Sequence, residues 1–397
     1  MSIFIVLTIC SLLILAYIFD ISASKTKIPS VILLLLLGWL VRQISNIMFL
    51  TIPDLTPILP ILGTIGLILI VLEGSLEIEI NESKYLYITK SSIIALVPML
   101  IFSLGLAYVF YYFGNVSYKI ALTNAIPFGV ISSAVAISSA QNLNKANKEF
   151  ITYESSLSDI FGVLFFNFIT LNKEITGQSV GNFILELIVI LLVTLIATLG
   201  LAFLLNKIKH HVKFIPIVIS IIMIYEISKI FHLPALIFIL LFGLFLGNIN
   251  ELKKIKYFDK LKPDSLINEV HKFKELTIEI AFLVRALFFL LFGYLIETRE
   301  LLNTSTILWA LAITFSIYVL RYLALKINKV NIQPLIYLAP RGLITILLFL
   351  SIPADQELFL ANKSLIIQVI ILTALFMMVG LMSHKKISEN NEIELKS

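Results

Sequence analysis

Two acidic residues lie within one apolar stretch of the sequence, YESSLSDIFGVLFFNF, which runs from Tyr153 to Phe168. Glu154 and Asp159 are accompanied there by serine hydroxyl groups. An ionisable side chain at the centre of a membrane helix costs roughly 2.5–3.5 kcal/mol on insertion scales, and such residues usually mark a functional site. A carboxylate with hydroxyl neighbours can hold a proton or a cation that prefers oxygen ligands. The stretch therefore predicts a proton- or cation-binding site at Asp159 if it crosses a membrane.

The composition places this stretch in a membrane. Hydrophobic residues make up 59% of the 397 residues and charged residues 14%, with a mean hydropathy of +1.00. A soluble domain of this length could not bury so much apolar surface. The single cysteine, Cys10, excludes an internal disulfide and a cysteine-based metal cluster. The lysines behind the net charge of +5 form no basic face for nucleic acid. We therefore expect a polytopic protein of the lipid bilayer, with no cofactor and no nucleic-acid partner.

Thirteen mostly apolar runs are long enough to cross or nearly cross a hydrocarbon layer of ~30 Å. They cover residues 3–19, 28–45, 55–76, 91–112, 120–140, 151–171, 183–205, 214–231, 233–248, 277–296, 305–325, 332–352 and 364–382. Lys and Arg concentrate in the odd-numbered loops and in a short tail, residues 383–397. The positive-inside rule then predicts an external N-terminus and a cytoplasmic C-terminus, in a plasma membrane such as the bacterial inner membrane. Arg321 lies near the end of the eleventh run, and we expect it to snorkel to interfacial water.

Two pairs of segments suggest that the chain contains an internal duplication. Pro29 and Gly38 have the same spacing as Pro234 and Gly243, with Leu- and Ile-rich residues between them. PFGVISS in the fifth run resembles PRGLITI in the twelfth, in the same order and at a similar separation. The first repeat would cover about 1–172, a linker helix about 183–205 and the second repeat about 213–382, within one transmembrane domain of residues 1–382. Because seven helices separate equivalent positions, the two six-helix repeats would be inverted in the membrane.

The fifth and twelfth runs are predicted to be broken helices. Pro127 and Pro340 each lack a backbone N–H, and Gly129 and Gly342 lower helix stability two residues later. Ser and Thr side chains can satisfy the carbonyl groups that a break frees. Folds with inverted repeats bind their substrates where such helices break, near the membrane midplane.

Several polar residues are predicted to lie at one depth. They are Ser132 and Ser133 in the fifth run, Asp159 in the sixth, Arg285 in the tenth and Arg341 in the twelfth. A rise of ~1.5 Å per residue puts all of them roughly 10–14 Å from the cytoplasmic ends of their helices. Four helices would therefore bring polar groups to one level near the membrane centre, around Asp159.

Glu73 and Glu154 are predicted to lie within about 5 Å of the cytoplasmic face. Glu73 precedes Gly74 in an apolar run, and we assign it to the site, whereas Glu154 either reaches the cluster or snorkels. If these two acids, Asp159 and the two deeper arginines are all ionised, one net negative charge remains. One proton or one monovalent cation neutralises it, which predicts electroneutral one-for-one exchange.

The hexapeptide ESSLSD, Glu154 to Asp159, resembles the Glu-Ser-Leu-Leu-Asn-Asp motif of the monovalent cation-proton antiporter superfamily, most closely its sodium/proton exchanger branch. Ser158 stands where the family has Asn. The tripeptide SSA stands at the family's Thr-Asp-Pro, so that Ser133 replaces its Asp. IGLILIVLEGSLEIE is similar to the third-helix signature with its Glu-Gly, and APRGL is similar to the Arg-Gly of the twelfth helix.

This resemblance implies an all-α antiporter fold with crossing broken helices and a homodimer, in which a six-helix core domain moves against a dimerisation domain. It implies that the transported cation, sodium or else lithium or potassium, binds Asp159 together with Ser155, Glu73, Ser132 and Ser133. It also implies that Arg341 pairs with Glu154 and that Ser158 lies at the helix break.

Two other functions remain open from the sequence. The same ligands could serve potassium/proton exchange, although relatives that release potassium often carry a large C-terminal nucleotide-binding domain. A membrane sensor or scaffold that keeps the fold without transport is the alternative from another class, and the SSA and SSLSD departures keep it open. An enzyme is not expected, because no nucleophile-base pair or metal-ligand spacing is found.

Overall fold

The computed structural model describes residues 2–26, 28–49, 53–78, 80, 85–141, 143–172, 174, 176–208, 210, 212–249 and 263–383, and these are predominantly helical. The helices are α1 (Ser2–Thr26), α2 (Ser30–Ile47), α3 (Ile58–Glu77), α4 (Tyr85–Gly114), α5 (Tyr118–Gly129), α6 (Ser133–Ser139), α7 (Lys145–Leu171), α8 (Gly177–Lys207), α9 (Phe214–Ile230), α10 (Leu236–Gly247), α11 (Pro263–Leu295), α12 (Thr304–Ile327), α13 (Leu343–Leu350) and α14 (Lys363–Ser383). Short helical turns cover Thr298–Leu301, Leu335–Tyr337 and Ala354–Gln356.

Twelve of the thirteen predicted spans coincide with a helix or with two half-helices, and the twelfth, 332–352, contains the Leu335–Tyr337 turn and α13. Among the described residues, eight helical segments are long and apolar enough to cross a membrane on length and composition alone. Helices suit this role because a bilayer core offers no water to backbone N–H and C=O groups. Residues 384–397 of the predicted tail lie outside the described residues.

Side-chain caps begin several of these helices. The Asn144 side chain accepts a hydrogen bond from the N–H of Asn147 at 2.9 Å and starts α7. The side chains of Ser117, Thr176 and Asn303 similarly accept backbone N–H groups at the starts of α5, α8 and α12. Each cap satisfies one of the donors that the first turn of a helix leaves free.

The two predicted helix breaks are present. Residues 130–132 are non-helical between α5 and α6, and residues 338–342 are non-helical between the Leu335–Tyr337 turn and α13. Pro127 lies inside α5, and the break follows Gly129. Pro340, in contrast, lies within the non-helical segment itself.

Glycines set how closely the helices cross in one half of the molecule, where α2 packs on α11 and α3 packs on both α10 and α11. A Cβ added to Gly38 of α2 would come within 3.0 Å of the backbone of α11 at Leu290, and one added to Gly293 would meet the backbone of α2 at Leu35. Gly243 and Gly247 of α10 face α3 in the same way. Small residues allow membrane helices to approach this closely.

A second group of helices packs on α4. It contacts α5, α7 and α12, and α12 in turn packs on α14. Helix α3 also touches α6, α7 and α13, so it borders both broken segments. The breaks therefore lie between α3 on one side and α4, α7 and α12 on the other.

Replacing Gly38 with Ala is expected to destabilise the protein by about 1–3 kcal/mol, because the new methyl group would overlap main-chain atoms that cannot rotate away. The matched control is Gly200→Ala in α8, where an added Cβ meets nothing within 4 Å. That control should be neutral or slightly stabilising, since Ala favours helix more than Gly. Thermal unfolding of the detergent-solubilised variants measures the difference, and equal unfolding temperatures would contradict the expectation.

Candidate functional site

Asp159 lies in the middle of α7 and faces the start of α6. Its side chain is 2% exposed, and Ser133, the first residue of α6, donates its hydroxyl to Asp159 Oδ2. The other carboxylate oxygen, Oδ1, has no hydrogen-bond partner. No ion pair joins Asp159 to Arg285 or Arg341 in the described part of the chain. Asp159 is therefore a buried carboxylate with one oxygen held and one free.

Ser158 and Ser155, the neighbours of Asp159 in the motif, have different partners. Ser158 Oγ accepts the N–H of Ile131 at 3.0 Å and so satisfies a backbone donor within the first break. Ser155 Oγ donates to the carbonyl of Ile151 at 2.6 Å, inside its own helix. The short serine reaches Ile131 because α7 approaches the break closely, where a Cβ on Gly162 would overlap the side chain of Val130.

Replacing Ser158 with Ala should destabilise the break, because the N–H of Ile131 would be left buried without a partner. Such a loss costs about 1–3 kcal/mol. Ser138→Ala in α6 is the control, since the Ser138 hydroxyl only bonds carbonyls of its own helix. Amide hydrogen exchange at residues 130–133 and thermal unfolding check the prediction. Unchanged protection in the Ser158 variant would show that this bond does not hold the break.

The two broken segments touch each other. The N–H of Ser132 donates to the carbonyl of Pro340 at 2.9 Å. Ser132 Oγ is buried without a partner, and a Cβ on Gly342 would come within 3.0 Å of it. The φ of Gly342 is −178°, a value that any residue can adopt. A glycine is needed here because its backbone lies so close to the Ser132 side chain. Gly129 is similarly close to Ser103 of α4.

Arg341 joins the breaks through backbone carbonyls. Its Nε donates to the carbonyl of Phe128 at 2.7 Å and its Nη2 to that of Gly129 at 3.3 Å, at the C-terminal end of α5. Its Nη1 donates to Ala339 of its own segment at 2.8 Å. A cation at this position satisfies free carbonyl groups and complements the partial negative charge of a helix C-terminus.

The predicted pairing of Glu154 with Arg341 is wrong. Glu154 pairs with Arg321 of α12 through two hydrogen bonds, of 2.6 and 3.0 Å, and both side chains are at most 4% exposed. Arg321 Nε also donates to the carbonyl of Leu335 at 2.7 Å. The expectation that Arg321 snorkels is therefore also wrong. The only signal in the sequence for Arg321 was its position as a cation within a predicted span.

Arg285 and Glu73 lie on neighbouring helices, α11 and α3, which pack on each other. Both residues are half-buried, and no direct ion pair joins them within the residues that the structure describes. No hydrogen bond joins either of them to Asp159 among the described residues. The structure thus gathers Ser132, Ser133, Ser158, Asp159 and Arg341 at the breaks, and leaves Glu73 with Arg285 on the α3 side.

A buried carboxylate beside two broken helices that touch is the arrangement of a secondary transporter, with irregular backbone enclosed by protein near the substrate site. Residues 9–384 match the family model described as "Sodium/hydrogen exchanger, transmembrane", and the chain belongs to this family. The protein is therefore an integral membrane transporter that exchanges monovalent cations for protons.

Two solved structures of the sodium proton antiporter MjNhaP1 from Methanocaldococcus jannaschii share the fold. One, at pH 8, has a TM-score of 0.68 and 18% identity, and covers 96% of this chain and 100% of the other. The second, from an electron microscopy map, has a TM-score of 0.65 and 19% identity, with 96% and 95% covered. Among curated protein sequences, none matches this chain.

Proposed function

We propose that the protein exchanges one sodium ion for one proton, with Asp159 as the carboxylate that both ions share. The observation that carries the proposal is the geometry of Asp159, which is buried, unpaired by any described cation, and free at Oδ1. A sodium ion prefers oxygen ligands. Asp159 Oδ1 and the unpartnered hydroxyl of Ser132 supply two such oxygens near the breaks.

A single buried carboxylate without an arginine partner among the described residues supports a one-for-one stoichiometry. Glu154 and Arg321 neutralise each other, and Arg285 lies on α11, which packs against the helix of Glu73. The charge of Arg341 is placed against the carbonyl end of α5. Asp159 is then the acid whose charge is left to be compensated by the transported ion. Once Arg321 is counted, the three acids and the three arginines sum to zero and not to the predicted minus one. The stoichiometry therefore rests on the single carboxylate at which a proton and a sodium ion, which carry the same charge, replace each other.

An opening on one face and a contact on the other support alternating access. A cavity of about 240 Å³ is lined by Glu77 at the end of α3, by Lys274 in the first half of α11, and by Lys148 and Thr152 in the first third of α7. At the opposite ends of the helices, Lys363 Nζ of α14 lies 3.1 Å from Glu300 and 3.0 Å from the carbonyl of Leu295. With the N-terminus outside, as the loop charges predict, the open side faces the cytoplasm.

The crossing glycines support the proposed inverted repeat. Under the duplication the second span is equivalent to the ninth and the third to the tenth. The contact of α2 with α11 at Gly38 then corresponds to the contact of α10 with α3 at Gly243.

A homodimer belongs to the same proposal. Light scattering of the detergent-solubilised protein tests it, with a protein mass of twice 44.7 kDa expected.

Purified protein in liposomes tests the exchange. Under an imposed pH gradient, adding sodium should dissipate the gradient, and protein-free liposomes give the background. The rate should be the same with the membrane potential clamped at zero or left free. A rate that depends on the potential would refute the one-for-one stoichiometry.

The cation series in the same assay separates the alternatives. A larger response to potassium than to sodium or lithium would favour potassium/proton exchange. If folded, inserted protein responds to no cation, the transport proposal fails and a sensor or scaffold is the better reading.

A further inference from the structure

The hydroxyl group of Ser156 lacks the partners that its neighbours on α7 have. Thr152 donates to the carbonyl of Lys148 at 3.0 Å, Ser155 donates within the helix, and Ser158 holds the break. Ser156 is 1% exposed, and its Oγ has no hydrogen-bond partner. A helical serine can satisfy its hydroxyl by bonding the carbonyl four residues earlier. Ser156 does not do so, which leaves a buried oxygen available to a ligand.

The Ser156 hydroxyl lies where three helices meet. A Cβ on Gly74 of α3 would come within 3.0 Å of Ser156 Oγ, and the next side chain near that point is Ile137 of α6. Any side chain at position 74 would overlap the hydroxyl, so Gly74 allows the backbone of α3 to pack directly on Ser156 Oγ. Glu73 directly precedes this glycine in the chain.

The position along α7 places Ser156 between Asp159 and the cavity. Residues three and four apart lie on one face of a helix. Ser156 is therefore one turn from Asp159, and Thr152, one turn further, lines the cavity of about 240 Å³. On α3, Gly74 is three residues before Glu77, which lines the same cavity. Polar side chains thus continue from the cavity to Asp159 along one face of α7.

We propose that Ser156 is a further ligand of the transported cation, and that its hydroxyl oxygen replaces a water of hydration as the ion moves from the cavity to Asp159. The inference rests on the exchange proposed above. A hydroxyl at this position selects among monovalent cations, because a fixed oxygen suits one ionic radius better than another.

Ser156→Ala tests the proposal, since it removes the hydroxyl without adding volume. We expect the KM for sodium in liposomes to rise roughly 2- to 10-fold, because the ion loses one ligand contact about as strong as a hydrogen bond. The ratio of the sodium rate to the potassium rate should also change. Sodium-dependent thermal stabilisation of the solubilised protein should need correspondingly more sodium. Thr198→Val in α8 is the control, because it also removes a buried hydroxyl without a partner, far along the chain from the site.

If Ser156 has only a structural role, the Ser156→Ala variant should give a different result. Removing an unsatisfied buried hydroxyl would then raise the unfolding temperature in both variants and leave the KM and the cation ratio unchanged, which overturns the proposal. This outcome is distinct from failure of the exchange itself, where the unsubstituted protein neither exchanges nor binds any cation. That second outcome overturns both proposals.

Discussion

Replacing Asp159 with Asn is expected to reduce sodium-driven proton movement in liposomes to the level of protein-free vesicles. Asn has nearly the same shape and keeps an oxygen that can accept the hydroxyl of Ser133. It cannot release a proton or carry the negative charge that attracts a cation. The variant should therefore fold and insert normally while both ions lose their shared site.

Glu226→Gln is the matched control for Asp159→Asn. It makes the same acid-to-amide change at an exposed position of α9. Exchange in this variant should match that of the unsubstituted protein. Sodium-dependent exchange that persists in Asp159→Asn would show that another group carries the ions, and the site would have to be moved.

Replacing Arg321 with Ala is expected to destabilise the protein by about 3–5 kcal/mol. The change leaves Glu154 buried without its partner, and a buried charge that loses its counter-ion carries a large desolvation cost. It also removes the donor to the carbonyl of Leu335, beside the second break. Thermal unfolding in detergent measures the loss. Lys326→Ala, an exposed cation on the same helix, should change little.

A double-mutant cycle separates the observed pairing from the predicted one. Glu154→Gln combined with Arg321→Gln should be less damaging than the sum of the single changes, because each single change strands a charge. Glu154→Gln combined with Arg341→Gln should be close to additive, since Arg341 bonds backbone carbonyls. Coupling to Arg341 of the same size as coupling to Arg321 would contradict the geometry.

The sequence was sufficient for the helices and for the position of the breaks. Long apolar runs have one stable form in a bilayer, so the thirteen spans followed from hydropathy. Pro and Gly in the fifth and twelfth runs indicated interruptions, which the structure places just after Gly129 and around Pro340. The depths estimated from residue number also placed Ser133 at the level of Asp159, and the two side chains are in contact.

Depths estimated from residue number could not identify the ion pairs. It fixes a residue's level along the helix and not the direction in which its side chain points, so Arg341 and Arg321 could not be ranked as partners of Glu154. The boundary of the eleventh span added to the error, because α12 continues to Ile327, two residues beyond the predicted end. The bond from Ile131 to Ser158 likewise depends on how closely α7 approaches at Gly162, which is a property of the packed fold.

Hydrogen bonds from Arg341 and Ser132 join the two broken segments to each other. A helix interruption ordinarily exposes backbone groups that must find water, and lipid offers none. Here Arg341 of the second broken segment donates hydrogen bonds to the carbonyls of Phe128 and Gly129 in the first. The N–H of Ser132 in the first segment donates to the carbonyl of Pro340 in the second. Each segment therefore solvates the other. If the two segments move through the membrane as one body, these hydrogen bonds move with them, and the backbone groups that they join need not be rehydrated.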